Sequence, residues 1–189
     1  MSTENNNKSL IYLVGFMGSG KSTVGPILAN ALGFQFLDID NIIEEKANKT
    51  IPEIFQTEGE AAFREIERSA LQELKSSSNT VIALGGGTIT NPENLKIAKE
   101  NGILVYLKIS PEEILSRIQH HSEDRPMLTD ASGKPLTGQQ LEQRIRQLLE
   151  MREKYYSQSD IIIHSDNLRL GITVDEIVKK LRAYLNPKD

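Results

Sequence analysis

The stretch Leu10–Ser22, LIYLVGFMGSGKS, leaves this chain few folds to choose from. An apolar run turns at Gly15 and passes through Gly18 and Gly20 into Lys21-Ser22, which satisfies G-x-x-x-x-G-K-[ST] with Gly15, Gly20, Lys21 and Ser22 at the fixed positions. Backbone N–H groups can wrap a polyphosphate only where the loop approaches closely and adopts φ values that side chains forbid, and glycine permits both. The helix opening near Lys21 aims its unpaired N–H groups and positive end at the same phosphates. On this reading residues 18–23, Gly18, Ser19, Gly20, Lys21, Ser22 and Thr23, form the phosphate loop, with the Lys21 ammonium on the outer oxygens and the Ser22 hydroxyl as a Mg²⁺ ligand. An ordinary glycine turn would not need strand, loop and helix signals in this order.

At 189 residues and 38% hydrophobic content the chain suits one compact domain, expected over residues 9–189. Residues 1–8, MSTENNNK, are polar, lack the apolar core of a signal peptide and are expected to be disordered. A net charge of −4 with dispersed basic residues argues against a nucleic-acid partner, which rewards clustered Lys and Arg. The absence of Cys removes disulfides, thiolate zinc sites and a thiol nucleophile, and is compatible with the cytosol. No long uncharged apolar run could span a bilayer, so a cytoplasmic protein with no membrane partner is expected.

Beyond the loop, Val24, Ile27, Leu28, Ala31 and Leu32 recur at helical spacing until Gly33. Phe34–Leu37 is then a short strand ending in Asp38-Ile39-Asp40, and an extended chain there would put both carboxylates on one side. Asp at a strand end can equally cap the next helix. Residues 51–75 predict a short helix and a longer one with Phe63, Ile66, Ala70, Leu71 and Leu74 on one face. Glu67 falls about 40° from Phe63, inside that apolar arc, with Arg64 one turn behind. Such a carboxylate wants a partner, although a Glu60/Arg64/Glu67 surface ladder is the alternative. Thr80–Leu84 is the most continuous apolar strand, taken as central, and runs into Gly85-Gly86-Gly87 with no Asp at its end to hold a metal, which turns attention to Asp38.

A helix over 91–101, a strand over 103–107 and a helix from Ser110-Pro111 carrying Arg117 follow. The long polar connection after it predicts a lid over about 120–140, in which Arg125 could close on an anionic ligand. His120 and His121 lack the company of metal ligands and are read as solvated. On the helix Leu141–Tyr156, Arg152 falls at about 20° among Ile145 at about 40°, Leu148 at about −20° and Tyr155 at about −40°. A guanidinium there must snorkel, meet a buried carboxylate or present its fork to an acidic ligand, and the last is favoured. Asp160–His164 gives a fifth strand and 173–185 a closing helix, so the alternation predicts an α/β domain with a parallel sheet.

GFMGSGKSTVG at 15–25, FLDID at 36–40, GEAAFREIE at 59–67, GGG at 85–87, RPML at 125–128 and R-x-x-x-Y at 152–156, in this order, resemble the shikimate kinase family from about residue 9 onward. The resemblance implies a five-stranded parallel sheet in order 2-3-1-4-5 flanked by helices, of the P-loop nucleoside-monophosphate-kinase type. It implies ATP-dependent phosphorylation of the 3-hydroxyl of shikimate, in aromatic amino-acid biosynthesis. Carried onto this chain, Asp40, Arg64, Gly86, Gly87 and Arg152 would bind shikimate. Lys21 and Arg125 would bind ATP and stabilise the transferring phosphoryl, Ser22 and Asp38 would serve Mg²⁺, and Arg117 would lie against the adenine. Asp40 would act with Lys21 and Arg125 in catalysis, and a monomer is expected. Met127 stands where the family more often has Leu, and 129–140 is longer than its compact lids. A gluconate or nucleoside-monophosphate kinase would share loop and lid. A GTP switch would want N-K-x-D, whereas Asn48-Lys49 is followed by Thr50-Ile51.

Overall fold

The uninterrupted apolar run Leu10–Val14 becomes the middle strand of the sheet, β1, buried on both faces. The computed structural model describes residues 9–118, 126–130, 132–166 and 170–185. After β1 come α1 (Lys21–Leu32), β2 (Gln35–Asp38), α2 (Ile39–Ala47), α3 (Ile51–Thr57) and α4 (Gly59–Glu73). Then follow β3 (Thr80–Ala83), α5 (Pro92–Asn101), β4 (Gly102–Lys108), α6 (Pro111–Ile118), α7 (Gly138–Tyr156), β5 (Ile161–His164) and α8 (Leu170–Leu185). All strand pairs are parallel and the order is β2-β3-β1-β4-β5, as the resemblance implies. The two-residue period of β1 separates two apolar layers. Leu10, Tyr12 and Val14 join the core made with α2 to α7, while Ile11 and Leu13 join Val24 and Leu28 of α1 and Val174, Ile177 and Leu181 of α8.

Local chemistry ends the helices where the sequence suggests. Gly33 takes a left-handed conformation, φ 68°, and its N–H closes on Ala29 and Asn30 carbonyls. Thr50 and Glu53 form a reciprocal capping box on α3, and the Asn91 side chain caps α5 ahead of Pro92. Gly25 has a different task. A Cβ built on it would lie 2.1 Å from Cε2 of Phe36, so α1 sits on β2 only because this position has no side chain.

Several expectations are corrected. The interior strand Thr80–Ala83 is flanked by β2 and β1, and β1 occupies the middle, because the chain crosses over β1 between β3 and β4. Asp38 is the N-cap of α2, its Oδ1 accepting from Asp40 N–H at 3.1 Å, so Asp40 lies in the first helical turn and the pair does not share one side of an extended strand. Capping wins because the strand ends at Asp38 itself. Asp160 precedes β5, its carboxylate accepting from Leu104 N–H and the Tyr184 hydroxyl, both at 2.9 Å. On α7 the buried aromatic is Tyr156, whereas Tyr155 is half-buried, because the Tyr106 ring stacks on Tyr156 at 5.0 Å. The closing helix begins at Leu170, earlier than its apolar pattern indicates.

His120, His121 and Arg125 lie outside the described residues. The described part of the 120–140 connection is tied down at one end: Leu128 is fully buried, Leu136 N–H bonds the Leu128 carbonyl at 2.8 Å, and Arg144 Nε donates to Met127 O at 3.2 Å. No helix among the described residues is long and apolar enough to cross a membrane.

The close approach at Gly25 has a measurable consequence. Gly25→Ala gains helix propensity yet drives a methyl into the Phe36 ring, and overpacking of this kind costs about 1–3 kcal/mol. Thermal and urea unfolding should show the loss; a variant as stable as its parent would refute the steric account.

Candidate active site

Gly15, Gly18 and Gly20 take φ of 147°, 77° and 95°, values that ordinary side chains avoid, and together they curl the loop around the start of α1. The Gly20 cap offers no side-chain acceptor and the first turn of α1 contains no acid, so the helix presents its positive end to this loop. Lys21 Nζ reaches back to the carbonyls of Gly15 at 2.9 Å and Phe16 at 3.2 Å. Ser22 Oγ donates to Asp38 Oδ2 at 2.7 Å, which brings the hydroxyl and the carboxylate singled out for Mg²⁺ side by side. Ser19 is buried, and its Oγ has no partner among the described residues.

Parallel topology puts the ends of β1, β2 and β3 along one edge, the edge at which open α/β sheets bind ligands. The P-loop follows β1, Asp38 ends β2, and Gly85–Gly87 follow β3. Each of the three glycines is crowded by a charged group. A Cβ on Gly85 would meet Asp40 Oδ1 and Glu67 Oε1 at 3.1 Å, one on Gly86 would meet Arg152 Nη1 at 3.4 Å, and one on Gly87 would meet Arg64 Nη2 at 2.8 Å. Gly85, which the sequence reading left out of the site, therefore belongs to it.

The charges are organised in pairs and layers. Glu67 is 1% exposed, accepts from Arg64 Nη1 at 2.9 Å and from Thr88 Oγ1 at 2.6 Å, and so finds the partners that its place in the apolar arc demanded. Arg64 also bonds Glu60 Oε1 at 3.2 Å. Arg152 is 7% exposed with its guanidinium carbon 5.4 Å from the Phe16 ring centroid, and no carboxylate among the described residues is in ion-pair range of it. Phe16, as its platform, and Thr88 were not anticipated. No sequence spacing points to either, because both contacts are made across the fold. Asp40 is the one acid here with a strong shift: burial first, then Asp38, Glu67 and Glu44, push its carboxyl up to about 6 against the opposing pull of Lys21.

A cleft of about 790 Å³ brings together Asp40, Arg64, Gly86, Gly87 and Arg152 with Lys21, Ser22 and Asp38, under an apolar wall that includes Ile51, Pro52 and Phe55. A second cleft of about 470 Å³ is lined by Gly18–Val24, Arg117, Ser165, Leu170 and Thr173. Gly18, Lys21 and Ser22 line both, so the two volumes meet at the phosphate loop. Arg117 Nη1 donates to Gly18 O at 3.1 Å while Nε is held by Glu113 at 2.8 Å, which fixes it at the rim of the smaller cleft. Pro126 and Met127 reach the larger one, next to Arg125 in sequence.

The Asp40 carboxyl yields a signed prediction. A folded-state pKa raised to about 6 means that the native state holds a proton that the unfolded chain releases near pH 4, so this group lowers stability as pH rises through that window. Asp40→Asn should stabilise the ligand-free protein by about 1–3 kcal/mol at pH 7.5, with no gain near pH 3.5. Denaturant titrations at the two pH values test this, and an equal effect at both would contradict it.

Comparison with known proteins agrees with this geometry. The family profile described as shikimate kinase matches residues 17–182. A shikimate kinase of Chlorobaculum parvum is 46% identical over 177 residues, covering 94% of this chain and 94% of the relative. Among solved structures, shikimate kinase from Acinetobacter baumannii in complex with shikimate superposes with a TM-score of 0.85 at 37% identity, covering 94% of this chain and 95% of that one. The enzyme from Bacteroides thetaiotaomicron gives 0.82 at 33% identity, with 92% and 98% covered. With its phosphate loop, its paired clefts and these relatives in agreement, the chain belongs to the shikimate kinase family.

Proposed function

We propose that this protein transfers the γ-phosphoryl of ATP to the 3-hydroxyl of shikimate, in the route to aromatic amino acids. The observation that carries the reading is that two clefts meet at Lys21 and Ser22, one with the helix N-terminus and glycine loop for a nucleotide, the other with two guanidinium groups and a carboxylate. Phosphoryl transfer needs positioning and charge neutralisation more than covalent help. We assign Gly18–Thr23 and Arg117 to ATP, Arg117 beside the adenine. Lys21 and Arg125 neutralise charge that develops on the transferred group. Shikimate is a small hydroxy acid, and Arg64 and Arg152 supply the forked donors for its carboxylate, aided by the Gly86 and Gly87 backbone. Asp40 orients the hydroxyl and receives its proton, which a carboxylate with a pKa of about 6 can do near neutral pH.

For Mg²⁺ the donor set fits. Ser22 and Asp38 offer hard oxygens at the phosphate edge, and no cluster of three or more His, Cys, Asp or Glu among the described residues forms an all-protein cage. Mg²⁺ characteristically takes one or two protein ligands and completes its shell with phosphates and water. When bound it supplies charge neutralisation at the phosphates. We read residues 9–189 as one kinase domain whose connection at about 120–140 closes as a lid over the nucleotide and excludes water. We read the working unit as a monomer.

Coupled ADP detection tests the reaction. ADP release should depend on shikimate and yield the 3-phosphate; equal ATP loss without shikimate, or preference for another acceptor such as gluconate or a nucleoside monophosphate, removes the assignment. Lys21→Ala should lower turnover by about 100-fold or more with the fold intact. An unchanged rate in that folded variant would exclude its role.

Arg152 gives a test of the acceptor site. Arg152→Ala should weaken shikimate binding by about 2–5 kcal/mol, the range for truncating one member of a buried charge pair. ATP affinity should stay nearly constant, and Arg152→Lys should restore only part, since an ammonium cannot form the planar fork. Calorimetric titration of each ligand decides, with equal losses for both arguing for a merely structural Arg152.

A further inference from the structure

We infer that Tyr156 is a positioning residue for the acceptor site, its hydroxyl setting the Gly86–Gly87 peptide beside the Arg152 guanidinium. This rests on the reading of Arg152, Gly86 and Gly87 as shikimate-binding groups. Tyr156 is fully buried and its hydroxyl bonds the Gly86 carbonyl, while Arg152, one helical turn earlier on α7, holds its Nη1 beside the same glycine, 3.4 Å from where a Cβ on Gly86 would lie. The direction of this bond is forced: a carbonyl can only accept, so the hydroxyl hydrogen goes to Gly86 O. The tyrosine thereby fixes the carbonyl of the glycine that Arg152 flanks.

The consequence for the cleft follows from peptide geometry. No cis bond occurs among the described residues, and in a trans peptide the carbonyl of Gly86 and the N–H of Gly87 point in opposite directions. Holding the carbonyl toward α7 turns the Gly87 N–H away from it, and no acceptor among the described residues takes that N–H. Both glycines line the larger cleft. A glycine pair would otherwise turn this plane freely. The ring itself is held in place by Tyr106, stacked at 5.0 Å, whose hydroxyl donates to Glu153 at 2.7 Å, and Glu153 pairs in turn with Lys108 at the end of β4. Neither Tyr106 nor Glu153 lines either cleft, so this support lies behind the site.

Tyr156→Phe keeps the ring and removes only the hydroxyl. Loss of this one buried hydrogen bond should raise the KM for shikimate about 3- to 10-fold while the KM for ATP and kcat stay within about twofold. Tyr106→Phe, which removes a neighbouring hydroxyl without touching Gly86, should leave the shikimate KM within about twofold. In the unaltered protein, the Gly87 amide resonance should shift on saturation with shikimate, a measurement that does not depend on any variant folding. An unchanged shikimate KM in Tyr156→Phe alongside a damaged Arg152→Ala overturns the positioning role and spares the acceptor-site reading. Equal losses for both substrates, a matching effect in Tyr106→Phe, or an unmoved Gly87 amide also overturns it. Intact shikimate binding in Arg152→Ala removes the underlying reading itself.

Discussion

The acceptor side of the site depends on one buried carboxylate. Glu67, 1% exposed, is tolerable only because Arg64 and Thr88 occupy its two oxygens, at 2.9 and 2.6 Å. Burying such a charge without partners would cost several kcal/mol, enough to consume much of a domain's stability. Satisfying it has structural results. The Arg64 fork is held over Gly87, Thr88 is drawn to α4, and the turn after β3 is clamped between them. A Cβ at Gly87 or Gly85 would strike this arrangement, so the glycines and the ion pair require each other.

The sheet then explains why such distant segments converge. Parallel strands deliver successive β-to-α connections to one edge, so the P-loop, Asp38 and the glycine turn become neighbours although they lie far apart in sequence. Arg152 arrives by another route, along α7, whose buried stripe Leu141, Ile145, Leu148, Arg152 and Tyr156 carries it from the apolar core up to the rim. Phe16 serves both routes, as part of the phosphate loop and as the face on which the guanidinium rests. Loop and helix are thereby held in one relation before either ligand binds.

How much of this was legible in the sequence depended on whether a signal was local. The P-loop and the alternation of strands and helices were readable because their periodicity and glycine spacing are short-range, and Arg152 and Glu67 stood out as charges on apolar arcs. Strand order was not readable from periodicity and came through family resemblance. Asp38 was ambiguous because a strand end and a helix cap use the same residue type, and only the backbone, turning at Ile39, decides between them. Tyr155 and Tyr156 fall on either side of the same stripe, so the wheel alone could not choose the buried ring; Tyr106, about 50 residues away, makes the choice. Thr88, Gly85 and Phe16 have roles that only three-dimensional contact assigns.

The two arginines of the cleft are unequal, and the inequality bears on what each contributes. Arg64 already faces Glu60 and Glu67, so an incoming carboxylate at Arg64 meets a cation whose field is largely neutralised. Arg152 rests on the Phe16 ring, and an aromatic face does not neutralise a full charge. An anion therefore gains more electrostatic free energy at Arg152, in surroundings where burial weakens screening. The same inequality limits the site's own strain. With Glu67 compensated by Arg64, the ionised Asp40 and the largely uncompensated Arg152 are left as the costly groups of the cleft, and they have opposite signs on a single volume. A substrate that carries a carboxylate at one end and a hydroxyl at the other relieves both together, whereas a simple anion relieves only one. On the proposed assignment of the cleft, selectivity for an acidic polyol follows from that pairing, with Arg152 setting affinity and Asp40 setting which hydroxyl is presented to the phosphate loop.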